Sequence, residues 1–149
     1  FSNEIIGFNG GHVFTHKSGK RAVYFQDVYP VAPLEDTDLD RTKSVEMDPA
    51  SAVYVKKLIA NRGQSLWGWY HSHPVFDTNP SRIDIYNQQN YQEAFAKCDN
   101  KPFVGFIIGP YSPKLNSAKV VSEFKCFFNM NEEDKNKPYE LTVNIIPQK

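Results

Sequence analysis

The alternation of hydrophobic and polar positions predicts six strands and two helices along the chain. Period-two or continuous apolar runs, bounded by turn residues, predict strands at 4–11, 21–31, 65–73, 103–109, 119–130 and 139–146. Asp48-Pro49 and Asn79-Pro80 are helix-start signals, and they predict helices that end at Gly63 and near Lys97. This order indicates an α/β (α+β) sandwich in which helices flank a mixed, largely antiparallel β-sheet.

The 103–109 run predicts where the sheet is most deeply buried. It is apolar at every position, which is typical of a strand buried on both faces. We therefore expect it to lie beside the 65–73 strand. The polar and charged segment 131–137 separates the last two predicted strands, so it is expected to be a hairpin loop.

Composition places the chain among globular domains with a sizeable core. It has 149 residues, 40% of them hydrophobic and 23% charged, and a formal net charge of zero. We expect residues 1–149 to be a single domain excised from a longer protein, because the chain begins at Phe1 and enters a strand pattern almost at once. No apolar run is long enough for a membrane span, and the neutral charge argues against direct nucleic-acid binding.

The two cysteines favour an intracellular protein without a cysteine-based zinc motif. Cys98 and Cys126 are far apart in sequence and belong to no Cys-x-x-Cys pair. Isolated cysteines of this kind fit reduced, partly buried thiols, which are typical of proteins inside the cell.

The segment around His71 and His73 carries the clearest candidate chemistry. Side chains two residues apart on a strand point to the same face, so both imidazoles can reach one metal ion. Asp84 can supply a third ligand from the start of the second predicted helix, where the helix dipole favours a carboxylate. Asp77 is the rival third ligand, but a loop would hold it less rigidly. Three such ligands and an open fourth position are typical of catalytic zinc.

Two further residues could complete a hydrolytic site. Glu4 precedes a glycine-rich turn where backbones can approach closely, and it is the candidate base for a metal-activated water. The alternative for Glu4 is a surface glutamate at the start of a strand. Ser81 is either an ordinary serine at a helix start or a hydroxyl that donates to the oxyanion formed when water attacks a carbonyl.

The combined pattern resembles the JAMM motif of the MPN-plus metalloproteases, the zinc deubiquitinases. The resemblance rests on Glu4 followed by the glycines at 7 and 10, on His71-x-His73-Pro74, and on Ser81-x-x-Asp84 after a six-residue spacer. The flanking residues at 46–49 and 76–92 are most similar to the catalytic MPN domain of the Myb-like, SWIRM and MPN domain-containing histone deubiquitinases.

The resemblance implies a role for each residue of the motif. His71, His73 and Asp84 would bind one Zn²⁺ ion, Glu4 would act as general acid and base, and Ser81 would stabilise the oxyanion. It implies a single MPN/JAMM catalytic domain with a cytidine-deaminase-like sandwich fold. The implied reaction is cleavage of the isopeptide bond between the ubiquitin C-terminus and a substrate lysine, including lysines of nucleosomal histones. The implied location is the nucleus, with the cytoplasm as the alternative.

Two alternatives remain open at the level of sequence. The motif specifies the reaction rather than the tag, so the substrate could carry another ubiquitin-like modifier. The domain could also be a non-catalytic scaffold that binds ubiquitin, although the complete ligand set argues for an enzyme. In either enzymatic case, the loops at 33–43 and 75–79 are expected to flank the groove for the extended tail of the modifier.

Overall fold

The fold consists of six strands and two helices. The computed structural model describes residues 3–35, 45–74, 77–95, 103–109, 122–130 and 137–147. The elements in chain order are β1 (Ile6–Thr15), β2 (Arg21–Pro30), α1 (Pro49–Asn61), β3 (Ser65–Ser72), α2 (Arg82–Phe95), β4 (Val104–Gly109), β5 (Glu123–Asn129) and β6 (Pro138–Leu141).

The strands form one six-stranded sheet in the order β2-β1-β3-β4-β5-β6. The pairing of β3 with β4 is parallel, and the other four pairings are antiparallel. A parallel pair needs a long crossover connection, and the segment between β3 and β4 contains α2. The predicted α/β (α+β) class and the mixed, largely antiparallel sheet are confirmed, as is the placement of β4 beside β3.

Helix α1 forms where its sequence signals predict it. Asp48 caps the helix by accepting a hydrogen bond from the backbone N–H of Ser51 at 2.9 Å, and Pro49 occupies the first turn. Gly63 follows the helix with φ of 71°, a left-handed conformation that glycine adopts without steric cost. The chain can therefore turn back directly into β3, the strand that carries His71 and leads directly into His73.

Both helices pack into the same hydrophobic core as the central strands. The fully buried members of this core include Phe8, Ile59, Trp69, Ile107 and Phe127, which come from β1, α1, β3, β4 and β5. Tyr91 and Phe95 of α2 pack against the same cluster. Within the described residues, no helix combines the length and the apolar character that a membrane span requires.

The structure corrects four of the predicted elements. Strand β1 runs from Ile6 to Thr15, so Gly10 and Gly11 lie within the strand, at a bulge, and do not form the predicted turn. Helix α2 begins at Arg82 rather than at Pro80, because Ser81 is the residue that caps it. Strand β6 ends at Leu141 rather than at 146, and the apolar residues beyond it are exposed. Strand β4 is not buried equally on both faces: Ile107 is fully buried, whereas the residues on either side of it, whose side chains alternate to the opposite face, are only partly buried.

Several predictions fall on residues outside the described ranges. These are the end of the second helix near Lys97, the first residues of the predicted 119–130 strand, the 131–137 hairpin loop except for its last residue, and most of the 33–43 and part of the 75–79 loops. They stay predictions.

Gly68 allows β3 to lie against β4 at the point where the candidate site begins. A Cβ atom at this position would lie 2.6 Å from the carbonyl oxygen of Val104, its partner in β4. Because that oxygen belongs to the backbone, it cannot swing away, and Gly68→Ala is expected to lower the free energy of unfolding by about 1–3 kcal/mol. Urea denaturation measures the change. Ser65→Ala in the same strand is the control and should change the free energy by less than about 0.5 kcal/mol; equal effects of the two variants would contradict the close approach.

Candidate metal centre

The register of the sheet brings Glu4 across from His73. Strands β1 and β3 are antiparallel, and Ile6 is the partner of His71. Two residues further along, Glu4 and His73 therefore face each other, and the backbone pair between these positions is hydrogen-bonded at 3.1 Å. Glu4 is only 2% exposed, so the interpretation of Glu4 as a surface glutamate is wrong.

Three buried side chains converge beside Glu4. Nε2 of His71 lies 2.8 Å from Oδ1 of Asp84 and 3.0 Å from Nε2 of His73. Nε2 of His73 lies 3.0 Å from Oδ2 of Asp84. The three residues thus offer two imidazole nitrogens and one carboxylate oxygen that all lie within 4.8 Å of one another. The structure brings together the three residues that the sequence analysis proposed as metal ligands.

The start of α2 holds Asp84 in place. The hydroxyl of Ser81 accepts a hydrogen bond from the backbone N–H of Asp84 at 3.1 Å, and the Asp84 carboxylate accepts one from the Ser81 backbone N–H at 2.8 Å. This reciprocal arrangement is a capping box with an acidic residue at its third helical position. Ser81 is therefore a helix cap. Because its oxygen acts as an acceptor in the cap, its own hydroxyl proton stays available for another partner.

His73 is oriented by the loop that follows it. Its Nδ1 atom lies 2.6 Å from the backbone carbonyl oxygen of Asp77, so Nδ1 carries the proton and donates it there. The other ring nitrogen, Nε2, then points toward Asp84 and His71. The carboxylate of Asp77, the rival third ligand, instead accepts a hydrogen bond from the Asn79 backbone N–H at 3.0 Å. Asp77 contributes its backbone to the site, while Asp84 contributes the carboxylate.

Trp69 and Gln88 support His71, and neither was predicted from the sequence to take part in the site. The indole of Trp69 stacks on the imidazole of His71, with ring centroids 4.6 Å apart and the planes inclined by 6°. Nε1 of Trp69 donates to Oε1 of Gln88 at 2.7 Å. A spacing signal exists for both: Trp69 precedes His71 by two residues on a strand, and Gln88 follows Asp84 by four on a helix, so each shares a face with a candidate ligand.

Burial and charge separate the pKa values of the two carboxylates. Burial raises the pKa of Glu4 to about 7, with the charge of His73 opposing the rise and that of Asp84 adding to it. Burial alone would also raise the pKa of Asp84, but hydrogen bonds from His71 and His73 hold it well below its usual range. Asp84 is thus an ionised carboxylate, while Glu4 can exchange a proton near neutral pH.

The two imidazoles also differ in protonation. Burial lowers the pKa of His71, and its hydrogen bond to Asp84 offsets only part of that effect. Burial alone would lower the pKa of His73 as well, but its hydrogen bonds to Asp84 and to the Asp77 carbonyl raise it overall. Nε2 of His71 donates its proton to Asp84, and a metal ion bound at this nitrogen would displace that proton.

The donor set fits a tetrahedral metal ion. Bonds of about 2.1 Å to three ligands separate the ligand atoms by roughly 3.4 Å in a tetrahedral site. The nitrogen and oxygen atoms of the three residues are already 2.8 to 3.0 Å apart, so small outward movements would accommodate an ion. Two neutral nitrogens and one anionic oxygen form the donor set that catalytic zinc sites use.

Comparison with known proteins finds similar sequences and a similar fold. No protein-family model matches the chain. It is 41% identical over 146 residues to Deubiquitinase MYSM1 of Homo sapiens, covering 97% of this chain and 16% of that protein. It is 39% identical over 109 residues to the histone deubiquitinase MYSM1 of Xenopus laevis, covering 73% of this chain and 12% of that protein. The chain therefore spans less than a fifth of these relatives.

Among solved structures, the solution structure of protein DSY2949 from Desulfitobacterium hafniense has a similar fold. Its TM-score is 0.65, and the match covers 99% of this chain and 82% of that one. Because the two sequences are only 19% identical, this likeness concerns the fold alone.

Proposed function

We propose that this chain, which belongs to the JAMM/MPN family of metalloprotease deubiquitinases, hydrolyses the isopeptide bond between the C-terminus of ubiquitin and a lysine of a ubiquitinated protein. The observation that carries the proposal is the buried convergence of His71, His73 and Asp84 directly beside the buried carboxylate of Glu4. A structural metal site needs no such proton acceptor, whereas a hydrolytic one does.

One zinc ion is the metal that this donor set suits best. His71, His73 and Asp84 would hold it, leaving a fourth position open. When bound, zinc supplies a Lewis acid for the scissile carbonyl and lowers the pKa of water to about 7. The hydrogen bond from His73 to the Asp77 carbonyl supports this assignment, because outer partners of this kind orient metal-binding imidazoles.

Glu4 is the general acid and base of the proposed reaction. Its carboxylate accepts a proton from the attacking water and then donates that proton to the leaving lysine amine. A pKa of about 7 suits both steps, because the group can take up and release a proton at neutral pH. Its position opposite His73 places it beside the ligand cluster.

Ser81 is the residue proposed to stabilise the oxyanion. It lies immediately before α2, and it is hydrogen-bonded to the ligand Asp84 through both its backbone and its side chain. Its hydroxyl proton can donate to the oxygen that becomes negative when water attacks the isopeptide carbonyl. The capping role and the catalytic role are compatible, since they use different hydrogen-bonding groups of the same serine.

We infer a ubiquitinated histone as the substrate and the nucleus as the location. The support is the name of the Xenopus laevis relative, a histone deubiquitinase, together with the match across 97% of this chain to its human counterpart. Ubiquitin and the histone are then the partners of the domain.

The proposed function is tested by comparing three substrates with and without ortho-phenanthroline. These are nucleosomes that carry a ubiquitinated histone, di-ubiquitin and a conjugate of another ubiquitin-like modifier. We expect cleavage of the ubiquitinated nucleosome above the other two, and we expect the chelator to abolish it. Faster cleavage of the conjugate of another ubiquitin-like modifier would show that this modifier, rather than ubiquitin, is the preferred tag. Binding of ubiquitin without cleavage of any substrate would indicate a non-catalytic scaffold.

Thiol alkylation is expected to leave the activity unchanged, because the proposed reaction forms no covalent intermediate with a cysteine. Cys126 is buried, and burial raises the pKa of its thiol to about 12, so it is a poor nucleophile. Initial rates before and after treatment with iodoacetamide check this. A loss of activity that tracks alkylation of either cysteine in mass spectra would contradict the scheme.

A further inference from the structure

The two candidate histidine ligands are oriented in different ways. Nδ1 of His73 donates to the carbonyl oxygen of Asp77 at 2.6 Å, which fixes the plane of its ring. Nδ1 of His71 is buried, and it has no hydrogen-bond partner among the residues that the structure describes. Metal-binding imidazoles usually rely on a hydrogen bond at the second nitrogen for their orientation. The ring of His71 therefore needs another constraint.

Trp69 supplies that constraint by stacking. Its indole lies almost parallel to the His71 imidazole, at an interplanar angle of 6° and a centroid distance of 4.6 Å. Rotation of the imidazole about its bond to Cβ would drive its edge into the indole. On the helix side, Trp69 packs against Tyr91 with ring centroids 5.1 Å apart. The indole is 1% exposed, so it has little room to yield.

Gln88 holds the indole in its plane. Its side-chain oxygen accepts the Trp69 indole N–H at 2.7 Å. Its side-chain nitrogen donates to the carbonyl oxygen of Phe103 at 2.7 Å and to Oε1 of Gln92 at 2.8 Å. Gln88 is completely buried, and all of its polar groups are therefore committed to these partners. These hydrogen bonds restrict the Gln88 side chain to one conformation, and the bond to the indole N–H in turn restricts the orientation of Trp69.

We propose that Gln88 and Trp69 act together as positioning residues for His71, and that they set its affinity for zinc. The inference rests on the proposed function, since it assigns a metal-binding role to His71. Gln88 touches no ligand, and it acts only through the stacked indole. For His71, the stacked indole and its hydrogen bond to Gln88 serve the orienting purpose that the hydrogen bond to the Asp77 carbonyl serves for His73.

The test compares Gln88→Met with Gln64→Met. Methionine matches glutamine in length and removes its polar groups. Gln64 is the control, because its side chain is also hydrogen-bonded at both polar atoms but lies at the other end of β3 from His71: it accepts from the Tyr29 hydroxyl at 2.7 Å and donates to the Asp27 carboxylate at 2.5 Å. Both variants should lose stability in the metal-free state. Only Gln88→Met should also weaken zinc affinity, by about 10–100-fold in competition with a chromophoric chelator.

Trp69→Phe provides a second variant, because it keeps an aromatic ring over His71 and removes the indole N–H. Trp69→Phe should weaken zinc affinity. Both substitutions remove the same hydrogen bond between the indole N–H and Gln88, so the double variant should bind zinc no more weakly than whichever single variant binds it less tightly. The visible absorption bands of the cobalt-substituted protein should change in these variants and stay as in the wild type in Gln64→Met. Equal zinc affinities of Gln88→Met and Gln64→Met, or additive losses in the double variant, would overturn the inference. A wild-type protein that binds no zinc would instead overturn the proposed function.

Discussion

Glu4→Gln is expected to lower kcat by about 10²–10⁴-fold and to leave the zinc content unchanged. Glutamine has nearly the same size and shape as glutamate, so it fits the same buried position, which is 2% exposed in the wild type. Its amide cannot accept a proton from water, and the step that generates the nucleophile is lost. The measurements are kcat on a ubiquitinated substrate and zinc content by atomic emission on the same preparation.

Glu93→Gln is the matched control for this substitution. Glu93 is exposed on α2, nine positions after Asp84, which places it roughly 13 Å further along the helix. Its replacement should change neither kcat nor zinc content. If Glu4→Gln retained wild-type turnover, the base would have to be another residue. If it lost its zinc together with its activity, Glu4 would be holding the ion rather than moving a proton.

Asp84→Asn is expected to weaken zinc binding by more than about 100-fold and to abolish cleavage. Loss of an outer partner of a ligand already costs about 10–100-fold in affinity, and this variant removes the anionic ligand itself. The amide oxygen of asparagine can still accept the Ser81 backbone N–H that Asp84 accepts at 2.8 Å, so the cap of α2 is preserved. Competition with a chromophoric chelator measures the affinity, and turnover is followed in parallel with added zinc.

Asp48→Asn is the control for the capping role. Asp48 caps α1 by accepting the Ser51 N–H at 2.9 Å, so its substitution makes the same chemical change at the other helix start. It should leave zinc affinity and turnover unchanged. Wild-type zinc affinity in Asp84→Asn would show that the ion, if bound, is held by other residues, and would remove the basis for assigning His71, His73 and Asp84 as one site.

The elements that were predicted well are those whose signals are local. The cap at Asp48 and the glycine at 63 correctly marked the ends of α1, and the apolar run in β4 correctly indicated a neighbour of β3. The errors came where two signals compete. Asn79-Pro80 resembles a helix start, but Ser81 and Asp84 form a reciprocal cap two residues later, and this pair of hydrogen bonds determines where α2 begins.

In the candidate site too, local spacing predicted some features and tertiary packing determined the others. The spacing of His71 and His73 on a strand requires that their side chains share a face, so their convergence was predictable from residues two positions apart. Asp84 was predictable because the helix that carries it follows closely in the chain. The surroundings of the ligands were not predictable. Trp69 stacks on His71 and donates a hydrogen bond to Gln88, and both contacts depend on how α2 packs against the sheet, which no local pattern specifies.

By itself, the sequence determined the order of the elements, the shared face of His71 and His73, and the set of residue types that suits zinc, because periodicity and spacing act over a few residues. Only the tertiary structure decided that Glu4 is buried opposite His73, because this requires the register between β1 and β3, two strands far apart in the chain. It also decided that Asp77 serves the site through its backbone and Asp84 through its carboxylate. Burial then shifts the pKa of Glu4 toward neutrality, and desolvation of that kind exists only in the folded protein.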